Sequence, residues 1–88
     1  MPEVRLRVLN KVGLHARPAV LFVKTAKKFS SNISVGKGGS WANAKSIIEL
    51  LSLDVRCGDE IIVRAEGEDA DKALSELKSL IEEKFGEE

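Results

Sequence analysis

Pro18 permits a helix to begin in one place only. From Ala16 to Lys28, Ala19, Phe22, Val23 and Ala26 recur at three- and four-residue spacing, while Arg17, Lys24, Lys27 and Lys28 take other directions, the pattern of an amphipathic helix. A proline is tolerated only in the first turn of such a helix, where backbone N–H groups have no partner within the helix to lose. The helix therefore starts beside His15, the one histidine of the chain. Val20 and Leu21 fall partly outside the core stripe, which leaves two apolar side chains next to the histidine for a docking partner.

The remaining elements follow from their periods. Glu3 to Leu9 alternates charged and apolar residues, with Val4, Leu6 and Val8 on one side and Arg5 and Arg7 on the other, a half-buried strand. Asn10 to Leu14 is a loop. Asn32 to Gly36 and Ser40 to Asn43 are short strands around a Gly36-Lys37-Gly38-Gly39 turn, and Trp41 in the second is left either packed or exposed. Ser46 introduces a short helix, Ile47 to Leu53, with Leu50 and Leu53 inward. A turn at Gly58, from Arg56 to Glu60, precedes a strand from Ile61 to Glu66 with Ile61, Val63 and Ala65 on one face. Asp69 is an N-cap candidate for the last helix, whose buried stripe is Ala73, Leu74, Leu77, Leu80, Ile81 and Phe85 and which Gly86 stops. The order β-α-β-β-α-β-α predicts an α+β fold of split βαβ type: a four-stranded antiparallel sheet with three helices on one face and water on the other.

With 88 residues the chain has room for one two-layer core, so residues 1–88 are expected to form a single domain. The alternating N-terminus lacks the continuous apolar stretch of a signal peptide, and no apolar run is long enough to span a bilayer. One cysteine, Cys57, allows neither an internal disulfide nor a multi-cysteine zinc site, and it has no companion to make it reactive. These features predict a cytoplasmic protein without membrane insertion, metal or cofactor. The net charge is zero, aromatics are 5%, and no nucleic-acid-binding motif is present, so a nucleic-acid partner is not expected. The Gly36–Ser40 run has neither the spacing nor the strand-to-helix context of a P-loop. Charge is nevertheless segregated. Val4 to Ile48 holds no carboxylate and Glu49 to Glu88 holds most of them, a division that either steers an anion toward the basic half or reflects no more than solvated faces.

His15 lies in the basic half, at a helix start where unpaired N–H groups and the positive end of the helix dipole receive anions. A neutral imidazole offers a nitrogen lone pair near physiological pH, and the planar fork of Arg17 is close enough to pair with phosphoryl oxygens. Together they would accept a phosphoryl group, and the labile N–P bond would let it pass on. Spacing alone leaves two readings, this one and a histidine that merely caps the helix or lines its loop.

The heptapeptide Gly13-Leu14-His15-Ala16-Arg17-Pro18-Ala19 resembles the active-site signature of HPr, the histidine-containing phosphocarrier family of the bacterial sugar phosphotransferase system. The resemblance extends over essentially the whole chain, through Asn43-Ala44-Lys45-Ser46-Ile47 and Ala65-Glu66-Gly67-Glu68-Asp69. It implies that His15 is the phosphoacceptor, on the ring nitrogen nearer the backbone, that Arg17 is its charge partner, and that enzyme I donates and sugar-specific IIA domains receive. It implies a carrier that is not itself an enzyme, expected to be a monomer. A docking patch of Val20, Leu21, Lys24 and Lys27 with Ile47, Ile48 and Leu51 is also implied, although Ile47, Ile48 and Leu51 read equally as ordinary core.

In HPr proteins of Gram-positive type, the serine equivalent to Ser46 is phosphorylated by HPr kinase/phosphorylase and then favours a catabolite-control transcription regulator. Here Ser46-Ile47-Ile48-Glu49 is also a capping box, which accounts for the serine without a kinase. Glu49 departs from the small residue common in the regulated proteins, and its carboxylate would repel a phosphoserine. Asp54 replaces a frequent glycine and is expected to touch a turn rather than the phosphoryl site. A regulatory paralogue and a non-catalytic interaction domain are the rival readings; His15 disfavours those paralogues that lack the histidine.

Overall fold

The computed structural model describes residues 2–86. Four strands, β1 (Glu3–Arg7), β2 (Asn32–Lys37), β3 (Ser40–Asn43) and β4 (Glu60–Glu66), form one antiparallel sheet in the order β1-β4-β2-β3. Helices α1 (Ala16–Ala26), α2 (Ile47–Ser52) and α3 (Ala70–Glu82) cover one face of it, and a 3-10 turn spans Lys84–Gly86. The predicted architecture is the observed one. Register explains the core: Val4 pairs with Val63, Val63 with Val35 and Val35 with Ala42, so one apolar row crosses all four strands beneath the helices. Phe22, Leu50, Leu77, Ala73 and Ile81 close over it from the three helices.

The other face is wet, and its one aromatic group has a local cause. Trp41 is opposite Gly36, and its ring occupies the space a side chain at Gly36 would need. The Arg64 guanidinium stacks 4.4 Å from the ring centroid and is held in turn by Glu3. The β2–β3 connection is a two-glycine turn, with Gly38 at φ +57° and Gly39 at +88°, the backbone of a type I′ hairpin.

Several boundaries differ from those expected. β1 stops at Arg7 rather than Leu9, although Val8 stays buried and keeps pairing through Asp59 and Gly58. α1 ends at Ala26, α2 at Ser52, and α3 at Glu82 well before Gly86. Past α3, Lys84 and Phe85 both take positive φ, and this turn buries Phe85 in the core from outside the helix.

The expected cap at Asp69 is not made. Its carboxylate accepts instead from the backbone N–H and hydroxyl groups of Ser30 and Ser31, tying the α1–β2 connection to the start of α3. Hydrogen bonds from the Ser31 hydroxyl and the Ser30 N–H hold this carboxyl at a pKa of about 2, below the usual 3.8. Because the folded value lies below the free one, the stabilisation is complete above the free value and is lost as pH falls toward 2. Asp69→Asn should therefore lower the thermal midpoint at neutral pH, with the gap to the wild type closing as acid is added through that window. A gap that stays constant on acidification would contradict it.

Candidate functional site

The loop before α1 is held from behind by backbone geometry. Asn10 is buried, and its side-chain amide donates to the Gly13 carbonyl at 2.8 Å. Leu14 N–H donates to Val55 O at 3.0 Å, and Leu14 itself is fully buried. Gly13, at φ +61°, rests so close to the α2–β4 connection that a Cβ would be 2.2 Å from Val55 O. This anchoring delivers His15 to the N-cap position of α1 in an extended conformation, with a side chain that makes no capping bond. The structure thus excludes the cap reading. Ala16 follows at φ +53°, left-handed backbone that costs an alanine roughly 1 kcal/mol. The N–H groups of Ala16 and Arg17 lack an upstream helical acceptor, and Pro18 has none to leave unpaired.

The His15 side chain is 37% exposed. Its Nδ1 is 3.0 Å from Val12 O, and its Nε2 is 3.2 Å from Asp54 Oδ1. Asp54 was expected to touch only a turn; it does sit in one, at φ +51°, but that turn folds its carboxylate onto the imidazole. The local absence of acidic residues in the first half of the sequence does not survive folding. Arg56 donates to the other oxygen of Asp54 from Nε at 3.0 Å and Nη2 at 2.8 Å. These bonds hold the Asp54 carboxyl below the ordinary carboxylate range and raise Arg56 in return. Lys37 Nζ donates to Asp54 O at 2.6 Å and lies 2.9 Å from Asp59 Oδ2. The Arg56 N–H and Lys37 likewise hold Asp59 below its usual value.

Arg17, the expected charge partner, is exposed and its side chain makes no hydrogen bond or ion pair with a described residue, so its fork is available to an incoming group. Lys24 and Lys27 are exposed along the same side of the chain's first helical segment. The apolar patch divides. Ile48 is 76% exposed, and Val20 and Leu51 are exposed too, whereas Leu21 and Ile47 are half-buried against the core. α1 packs on α2, which places these side chains on adjoining helices. Exposed Val12 extends the apolar surface beside His15; Val12, Asn10 and Asp54 were all outside the expected site. Asn–x–x–Gly was the available signal for the first anchor, whereas the contacts of Val12 and Asp54 depend on tertiary folding.

Ser46 caps α2, its Oγ accepting from Glu49 N–H at 3.3 Å. The reciprocal half of the capping box is absent, because the Glu49 carboxylate accepts from Asn43 N–H at 3.0 Å and Ser46 N–H donates to Asn43 O. Cys57 is an exposed free thiol. Among the described residues no cluster of His, Cys, Asp or Glu has metal-site geometry, and no helix is long and apolar enough to cross a membrane.

Residues 2–83 match the family model described as the PTS HPr component phosphorylation site. The chain belongs to the HPr family. HPr-like protein Crh of Bacillus subtilis is 43% identical over 83 residues, covering 94% of this chain and 98% of that one. Phosphocarrier protein HPr of Treponema pallidum is 42% identical over 83 residues, covering 94% of each. A crystal structure of HPr from Thermoanaerobacter tengcongensis, 53% identical, superposes with a TM-score of 0.98 over 100% of this chain and 99% of that one. A dimer of that HPr has also been solved, with a TM-score of 0.81 over 99% and 100% of the two chains. As a member of this family, the protein is a phosphocarrier of the phosphotransferase system and not an enzyme.

Proposed function

We propose that His15 receives a phosphoryl group from phospho-enzyme I and passes it to sugar-specific IIA domains, with the chain acting as a monomeric carrier in the cytoplasm. The observation that supports this most directly is the partly exposed His15 ring at the α1 N-terminus, inside the stretch that matches the family's phosphorylation-site model. Arg17 N–H and its unengaged guanidinium would neutralise phosphoryl oxygens as the N–P bond forms. Val20, Ile48 and Leu51, with the cations Lys24 and Lys27, form the surface that would seat each partner in turn.

Likeness to Crh favours a second, regulatory reading, in which HPr kinase/phosphorylase modifies Ser46 and the product binds a catabolite-control regulator. The Ser46 hydroxyl lies at a helix start that favours a phosphate, and the Glu49 carboxylate nearby opposes it. One experiment addresses both. Incubation with enzyme I and phosphoenolpyruvate, followed by intact-mass measurement, should add one acid-labile phosphate that moves on to a IIA domain. His15→Ala should take up none, and Arg17→Ala should load more slowly with an unchanged unfolding midpoint. Uptake by His15→Ala equal to the wild type would refute the assignment. A parallel incubation with HPr kinase and ATP, mapped by peptide, reports on Ser46; loading there without transfer to any IIA domain would leave the regulatory reading in its place.

A further inference from the structure

Both nitrogens of His15 face oxygen acceptors, the Val12 carbonyl at Nδ1 and the Asp54 carboxylate at Nε2. A neutral imidazole carries a single N–H and can donate to only one of them. The other contact then sets a lone pair against an oxygen. Which acceptor wins decides which ring nitrogen is left nucleophilic, and a hydrogen bond to an ionised acceptor is about twice as strong as one to a carbonyl. Asp54 is kept ionised and aimed. Arg56 holds its Oδ2 from two nitrogens, leaving Oδ1 for the ring, and Lys37 and Leu51 O fix its backbone from either side.

We propose that Asp54 is a positioning residue for phosphoryl acceptance: its carboxylate takes the Nε2–H, so that the neutral ring keeps its lone pair on Nδ1. This deepens the carrier reading and rests on His15 as the acceptor. In this tautomer the Nδ1 lone pair would face the Val12 carbonyl, 3.0 Å away in the structure, and the repulsion would favour a turn of the ring toward the helix start where the phosphoryl group arrives. In the transfer the Nδ1 pair forms the N–P bond, while the donor's bond to phosphorus breaks and its electron pair leaves with the donor. The proton stays on Nε2, and the ring becomes cationic beside an anion already in place, as a carboxylate behind a catalytic histidine stabilises an imidazolium. When the phosphoryl group moves on, the N–P pair returns to Nδ1 and the ring is neutral again.

The test is the ring tautomer, read by long-range 1H–15N correlation spectra of the unphosphorylated full chain at alkaline pH. Wild type should be mainly the Nε2–H tautomer. Asp54→Gly, which relieves the left-handed backbone, should shift the ratio toward Nδ1–H by about five- to tenfold, with Val12 O taking the proton. Asp54→Asn, which keeps the side-chain shape and a weaker acceptor, should fall between. Loading by enzyme I should slow in the same order while unfolding midpoints change little. A wild-type ring that is mainly Nδ1–H, or a ratio equal in wild type and Asp54→Gly, overturns the proposal. A shifted ratio with unchanged loading rates removes Asp54 from the transfer. Neither outcome depends on the His15→Ala result, which alone decides whether this histidine is the acceptor.

Discussion

Phe22→Ala should cost about 4 kcal/mol of unfolding free energy, the range measured when a fully buried phenylalanine is truncated. Phe22 is completely inaccessible and is the largest fully buried side chain of the core. It reaches inward from α1, so the cavity would open directly beneath the helix that carries Arg17 and Val20. A domain of this size has roughly 5–10 kcal/mol in all, and each 1 kcal/mol corresponds to about 4–8 °C in the midpoint. The variant should therefore unfold at least 15 °C or so below the wild type in a thermal scan. Val20→Ala, an exposed position on the same helix, should stay within about 0.5 kcal/mol and serves as the control. Equal midpoints for Phe22→Ala and Val20→Ala would show that the α1 stripe is not what holds this helix down.

That stripe was legible in the sequence because a helix reports its buried face through a period of 3.6. Ala19, Phe22, Val23 and Ala26 were expected inside and all are buried; so are Ile61, Val63 and Ala65 of β4. Pro18 located the helix start, and the His15 position followed from it. What remained hidden involves groups distant in the sequence. Asp54 is 39 positions from His15, and no periodicity relates them; the contact exists because Leu14 N–H and the Gly13 backbone dock on Val55, next door to Asp54. Asp69 misled for a related reason. It stands where a cap belongs, but Ser30 and Ser31 bring two backbone donors and two hydroxyls to it from another element, and these outcompete the helix's own N–H groups. Glu49 left its capping box for the Asn43 N–H in the same way. Local patterns identify donors and acceptors correctly, whereas tertiary folding decides which of them meet.

Gly13→Ala should be the most damaging single change in the site loop, although it adds only one methyl group. Two costs combine. An alanine at φ +61° sits in the left-handed region, which is unfavourable by roughly 1 kcal/mol for a residue with a Cβ. The new Cβ would also lie 2.2 Å from Val55 O and 2.8 Å from Arg56 Cα, and since both are backbone atoms no side-chain rotation relieves the overlap. The loop must move away from the α2–β4 connection. That movement stretches the Leu14 N–H bond to Val55 O and the Asn10 bond to Gly13 O, and it withdraws His15 from Asp54. A loss of about 3 kcal/mol is expected in guanidinium denaturation, with amide shifts concentrated at 12–15 and 54–56 in 15N–1H spectra. Phosphate loading should fall together with those shifts even where the variant remains folded, because the histidine is positioned by the same contacts that are strained. By contrast His15→Ala leaves the backbone anchors intact, and its loss of loading should come with a nearly unchanged midpoint. If Gly13→Ala unfolded within about 0.5 kcal/mol of the wild type and loaded at the same rate, the close approach of the two loops would have no part in placing the imidazole.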